Sequence, residues 1–175
     1  MSLLYYAFTF SMSYFYQKIK AMKNVITTIV FLLICGIILA QDRTKDEAAI
    51  NKQIDAMIYS WDNHNYDDMK NYTTENTDWV NVVGMWWKGR KESQYAHQTY
   101  HNTMFKTAVC EKKAVTIRFV TKDVVIGHVQ WHFSDPHPVP LPDGKNPEPT
   151  DSLAILVYVE QNEIWLMTAR SSVLA

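Results

Sequence analysis

The chain has 175 residues, enough for one domain and hardly two. Apolar residues make up 47 % and aromatic residues 13 %, so a core can form without staples. The first forty residues hold three cations (Lys18, Lys20, Lys23) and no acid; 17 basic residues less these three leaves 14 against 18 acidic, a net of −4 for the rest. That mildly acidic body excludes nucleic acid as an expected partner, and an anionic membrane surface with it.

Residues 1–21 are rich in Tyr and Phe and read as an upstream extension, with translation starting at Met22. Residues 22–40 read as a signal peptide. Lys18, Lys20 and Lys23 make a basic flank, Val25–Leu39 is an uncharged, mostly apolar run of 15 residues, and Ala40 precedes polar Gln41-Asp42. Such a run is too short for a comfortable membrane span. The expectation is a mature protein from Gln41, exported to the periplasm or the extracellular space, with no membrane attachment after cleavage. An uncleaved anchor is the alternative; Ile34 argues against lipid attachment at Cys35. Cys110 is then the one remaining cysteine, so no disulfide closes within the domain, and it reads as a small buried hydrophobe.

The mature chain opens on Thr44-Lys-Asp-Glu47, a capping box, followed by Ile50, Ile54, Met57, Ile58 and Trp61 on one stripe. This predicts a helix running to His64. Asn65 can cap a second, short helix that buries Met69 and Tyr72. Thr77–Val83 reads as a strand broken by Gly84, and Met85-Trp86-Trp87 as a brief second strand. A third helix is predicted over 90–105, with Ser93, His97, Tyr100, His101 and Met104 inward. Four strands follow, Ala114–Thr121, Val124–Phe133, Ser152–Glu160 and Ile164–Ser172, the last two joined near Gln161-Asn162. All six prolines fall in Pro136–Pro149, inside a connection over 134–151 too long and too Pro-rich for regular pairing.

The segments Trp61-Asp-Asn-His64, Trp79-Val-Asn81-Val-Val-Gly84-Met-Trp86-Trp87-Lys-Gly89-Arg90, His97 with His101 and Phe105, and Val125-Ile-Gly-His128-Val-Gln-Trp131 carry a resemblance. The chain resembles the nuclear transport factor two-like superfamily, also called SnoaL-like or cystatin-like, and within it the SgcJ/EcaC-type branch. It departs at its end, where Ala169-Arg170-Ser171-Ser172 stands in place of that branch's Asn-Thr. The resemblance implies an α+β fold, a cone-shaped curved antiparallel sheet wrapped around three helices. It also implies a pocket at the open end of one domain over 41–175, and often a homodimer through the outer sheet face. It implies no single reaction, since the superfamily holds isomerases, cyclases, dehydratases and binding modules.

Several residues are candidates for that pocket. His97 and His101, four apart on one helical side, are the candidate proton carriers. Trp61, Asn81, Trp86, Trp87, Tyr100, His128 and Trp131 are the candidate walls, although core packing is the default for a tryptophan. No carboxylate joins the His stripe and no His-Glu-x-x-His pattern occurs, so no metal is expected. No cofactor is expected either, because no dinucleotide fingerprint or phosphate loop is present. The expected partners are a small-molecule ligand and a second copy. The strands Val124–Phe133 and Ser152–Glu160 are apolar on both phases, and helices can cover only one. The rival is that the Pro-rich connection folds over the outer face and leaves a monomer. Three readings follow: an acid–base enzyme acting on an apolar or aromatic metabolite, a non-catalytic binding protein, and a dimerisation module.

Overall fold

The structure, a computed structural model, describes residues 18, 22–24 and 43–175. The upstream extension, the signal segment and its cleavage point therefore lie almost wholly outside the described residues. The chain divides into Met1–Lys45 and Asp46–Ala175, and the fold below is that of the second unit.

Helix α1 covers 43–62. Ile50 and Ile54 are fully buried and Met57 nearly so, as the apolar stripe requires. Thr44 lies inside the helix, not before it. Asp46 accepts a hydrogen bond from the Trp165 indole N–H at 3.0 Å, tying the first turn to the last strand. At the other end His64 takes a left-handed conformation, φ 53°, and its N–H donates to the Trp61 carbonyl. The predicted second helix is a single 3-10 turn, Met69–Asn71. It cannot extend, because the Tyr72 carbonyl already accepts from the Met167 N–H of the sheet. Met69 and Tyr72 are buried as expected.

Strand β1 spans Thr73–Val80, earlier than the hydrophobic run suggested. The polar side chains of Thr73 and Thr77 share its buried phase with Trp79, and Thr74 is buried on the other phase. The run Val80-Asn-Val-Val-Gly-Met85 mimics a strand but forms a turn. The Asn81 side-chain carbonyl accepts from the N–H groups of Val83 and Met85, and Gly84 supplies φ 80°. Strand β2 is Trp86–Lys88, and helix α2 is Gly89–Thr103. Gly89 sits at φ 75°, with the Glu75 carbonyl 3.4 Å from where a Cβ would stand, so the junction needs glycine.

Strands β3 (Val109–Phe119), β4 (Val124–Ser134), β5 (Thr150–Gln161) and β6 (Ile164–Leu174) complete a six-stranded sheet in the order β2-β1-β6-β5-β4-β3. The sheet is mixed: β1 pairs in parallel with β6, and every other pairing is antiparallel. The β5–β6 turn consists of Asn162 and Glu163, both left-handed at φ 53° and 64°, the pattern of a two-residue primed turn.

Alternation gives the sheet two distinct faces. The inner phase carries Val125, Val129 and Trp131 from β4, Ala154, Leu156 and Tyr158 from β5, and Trp165 and Met167 from β6, all buried. These pack with Ile50, Ile54, Met69 and Tyr72 into one core. The outer phase is also apolar. Val124, Ile126, Leu153, Val157 and Val159 are half-buried, and Ile155 is 46 % exposed. His128 stands beside Ile155 on this outer phase, across the β4–β5 pairing.

Candidate functional site

One large cavity, about 470 Å³, opens between α2, the 81–85 turn, the ends of β4–β6 and the 135–149 connection. Its size falls in the range of small-molecule pockets. The walls are mostly aromatic and aliphatic: Trp61, Trp79, Trp87, Tyr100, Phe105 and Phe133, with Val82, Val83, Met85 and Leu174. The Pro-rich connection forms part of the wall through Pro138, Val139 and Pro147. It thus packs at the cavity, and it leaves Ile155 on the outer face exposed.

The predicted site residues divide. His97, His101, Trp61, Asn81, Trp87 and Tyr100 all line the cavity. Asn81 does so with its side-chain carbonyl committed to the turn. Trp86, His128 and Trp131 do not line it. Strand alternation turns Trp87 inward and Trp86 outward, where it is 55 % exposed, donates to Asp78 at 2.9 Å and lies under the Lys88 ammonium. His128 is on the outer phase for the same reason. Trp131 is buried to 2 % in the core beneath the cavity.

The histidine pair is buried and neutral. His97 Nδ1 lies 2.7 Å from the Ser93 carbonyl, which can only accept, so the proton is on Nδ1 and Nε2 is a bare acceptor. Its ring meets Trp79 and Trp87 edge-on at 4.2 and 5.0 Å. Burial lowers its pKa to about 3, with Arg170 and His101 adding to the effect and the Ser93 bond opposing it. His101 is lowered to about 4, again by burial and then by His64. Its two nitrogens are both engaged, Nε2 with the Tyr66 hydroxyl at 2.9 Å and Nδ1 with His64 Nδ1 at 2.8 Å. Burial also holds the Tyr66 phenol well above its ordinary pKa, so the phenol keeps its proton and donates. His101 Nδ1–H then donates to His64. A ring this reluctant to take a proton is a poor base near neutrality. His97 and His101 therefore stand at the cavity wall as neutral rings.

Arg170 is the site residue that periodicity did not single out. It lines the cavity from β6, and its guanidinium stacks over Trp79 at 4.5 Å and approaches Trp131 at 5.6 Å. Its Nε–H donates to Ser172 at 3.1 Å and Nη1 reaches the Met57 sulfur at 3.5 Å. Burial lowers its pKa. Among the described residues it has no carboxylate partner. Beside it Cys110, on β3, is a buried thiol pushed up to about 12 by burial, as expected of a packing residue. Its N–H donates to Asp62, which accounts for that carboxylate. Ser152, 1 % exposed on the cavity wall, has a hydroxyl without a partner.

No protein-family profile matches this sequence, and no curated protein matches it. Solved structures do. A protein with a cystatin-like fold from Caulobacter vibrioides matches at TM-score 0.67 and 23 % identity, over 74 % of this chain and 89 % of that one. A domain of unknown function with a cystatin-like fold from Nostoc punctiforme matches at 0.64 and 25 %, over 75 % and 78 %. The hexachlorocyclohexane dehydrochlorinase LinA-type3 from Novosphingobium barchaimii matches at 0.62 and 14 %, over 76 % and 88 %. The chain has the α+β cystatin-like, or nuclear transport factor two-like, fold. Neighbours with this fold include both enzymes and proteins of unknown function.

Proposed function

We propose that this chain is a small-molecule pocket protein of the SnoaL-like type that holds a largely apolar, aromatic-sized ligand. One observation carries the reading: a cavity of about 470 Å³ whose wall is built from tryptophan, tyrosine and phenylalanine, with a few polar groups converging on it. The low pKa values of His97 and His101 favour binding over acid–base catalysis. Catalysis on an apolar or aromatic metabolite is the second reading. The Tyr66–His101–His64 hydrogen-bond chain favours it, because it fixes the tautomer and orientation of a ring on the cavity wall.

Three further parts belong to this proposal. The protein falls in the SgcJ/EcaC-type branch, on the strength of the Val80–Trp87 run. It is exported after removal of residues 22–40, as the basic flank and the apolar run suggest. It pairs with a second copy through the outer sheet face, where Ile155 and its half-buried apolar neighbours form a patch that a monomer seldom leaves open.

The test of the central reading is a tryptophan-fluorescence titration with the neutral probe 2-naphthol. One saturable site is expected, weakened about tenfold by Trp87→Ala and unchanged by Trp86→Ala. Absence of saturable binding, or equal effects of the two substitutions, would count against a ligand pocket at this place.

A further inference from the structure

Resting on that pocket reading, we propose that the ligand carries a carboxylate, and that Arg170 receives it. The proposal begins with an imbalance. A guanidinium has five N–H donors in a planar fork. Here two are engaged, one by the Ser172 hydroxyl and one by the Met57 thioether, the latter a weak acceptor. The faces of Trp79 and Trp131 supply cation–π attraction. That attraction does not neutralise the charge, and a half-buried charge gains from a counter-ion.

The cavity wall does contain acids, but neither answers Arg170. Asp135 accepts from the Thr107 hydroxyl and the His137 N–H in the Pro-rich connection. Glu148 is exposed on that same connection. Neither forms an ion pair with Arg170 among the described residues.

A second observation falls on the same wall. Ser152 is 1 % exposed on β5, and its hydroxyl lacks a partner. Its oxygen has almost no open surface, so it can donate to an anion only once a neighbouring side chain shifts. Arg170 and Ser152 both line the cavity, from the two paired strands β6 and β5. The remaining wall is mostly aromatic and aliphatic and carries no second cation, so it suits a carboxylate joined to an apolar body and not a phosphate or a polyanion. A carboxylate accepts the guanidinium fork through two parallel bonds, which also fixes its orientation.

The experiment compares acids with their primary amides on the intact protein: benzoate, 2-naphthoate and decanoate against benzamide, 2-naphthamide and decanamide. The pairs match in size and differ in charge. The expected result is that at least one acid binds roughly tenfold to hundredfold more tightly than its amide. Arg170→Met should abolish this preference while still binding the amide. Equal binding of acid and amide, or tighter binding of the amide, overturns the carboxylate and leaves the pocket reading standing. An acid preference that survives Arg170→Met also overturns the assignment to Arg170. Failure of all six compounds to bind removes the pocket reading and the carboxylate with it. The wild-type comparison needs no variant, so it decides even if Arg170→Met does not fold, and Arg170→Lys then serves to test the role of the fork, with a reduced preference expected and an unchanged one counting against it.

Discussion

Arg170 on β6 holds its guanidinium 4.5 Å above the ring of Trp79 on β1, across the parallel strand pair of the sheet. The stack lies at the cavity floor and places a cation where packing alone would favour an apolar side chain. Arg170→Met retains the length and removes the charge. Its stability at pH 7 should match wild type or exceed it by up to about 2 kcal/mol, because a half-buried cation without a carboxylate partner is lost. Arg170→Ala opens a hole and should cost about 2–4 kcal/mol. Urea denaturation reads both. A large loss in Arg170→Met would mean that the cation holds the fold together.

Stability should fall in mild acid. The folded-state pKa of His97, about 3, lies below its ordinary 6.5. Between those values the unfolded chain binds a proton that the folded protein refuses, so stability rises with pH. The contribution is fully present above about pH 6.5 and is lost as pH drops towards 3. Between pH 7 and pH 5 the loss from this ring should be on the order of 1–2 kcal/mol. His97→Gln should flatten that slope, whatever its effect at pH 7. An unchanged slope would mean that the ring takes up its proton as readily in the folded as in the unfolded state.

Trp131 and Trp86 should differ sharply. Trp131 is 2 % exposed and Trp86 is 55 % exposed. Trp131→Ala should cost about 3–5 kcal/mol, and Trp86→Ala less than about 1 kcal/mol. Comparable losses would contradict the division between core and surface drawn here.

The fold was legible where periodicity meets burial. The Ile50–Ile54–Met57 stripe, the His97–His101 face and the alternation of β4 to β6 each follow from one buried side, and the structure matches them. Legibility failed where local chemistry overrides pattern. Val80-Asn81-Val82-Val83 has strand composition, yet the Asn81 side chain satisfies two backbone N–H groups and turns the chain. The parallel pairing of β1 with β6 is a long-range choice that no local run encodes. Face assignment inside a two-sided apolar strand is not readable from the run itself; His128 and Trp131, three apart, fall on opposite faces and neither lines the cavity. Arg170 showed itself in sequence only as a departure from the related pattern. Its charge marked it as unsuited to a buried strand position, and that mismatch was the available signal.

Asn81 should matter for the cavity rim through its turn. Asn81→Ala leaves two N–H groups unpaired and should cost about 1 kcal/mol. Asn81→Asp keeps the acceptor and should stay near wild type. Thermal unfolding of both decides; equal behaviour would mean that the side-chain bonds contribute nothing.

The outer face gives an independent expectation. Light scattering of residues 41–175 at micromolar concentration should return a dimer mass, and Ile155→Lys should return a monomer, since it sets a charge in the centre of an apolar interface. A wild-type monomer would contradict pairing through this face.

The central claim is that the aromatic cavity is a ligand site. The most direct measurement is backbone and indole amide NMR of residues 41–175 titrated with 2-naphthol. Saturable shifts should be confined to Trp61, Trp87, His97, Tyr100 and the 81–85 turn, with Trp86 and Ile155 unmoved. Shifts centred on the outer sheet face, or none at saturating probe, would contradict it.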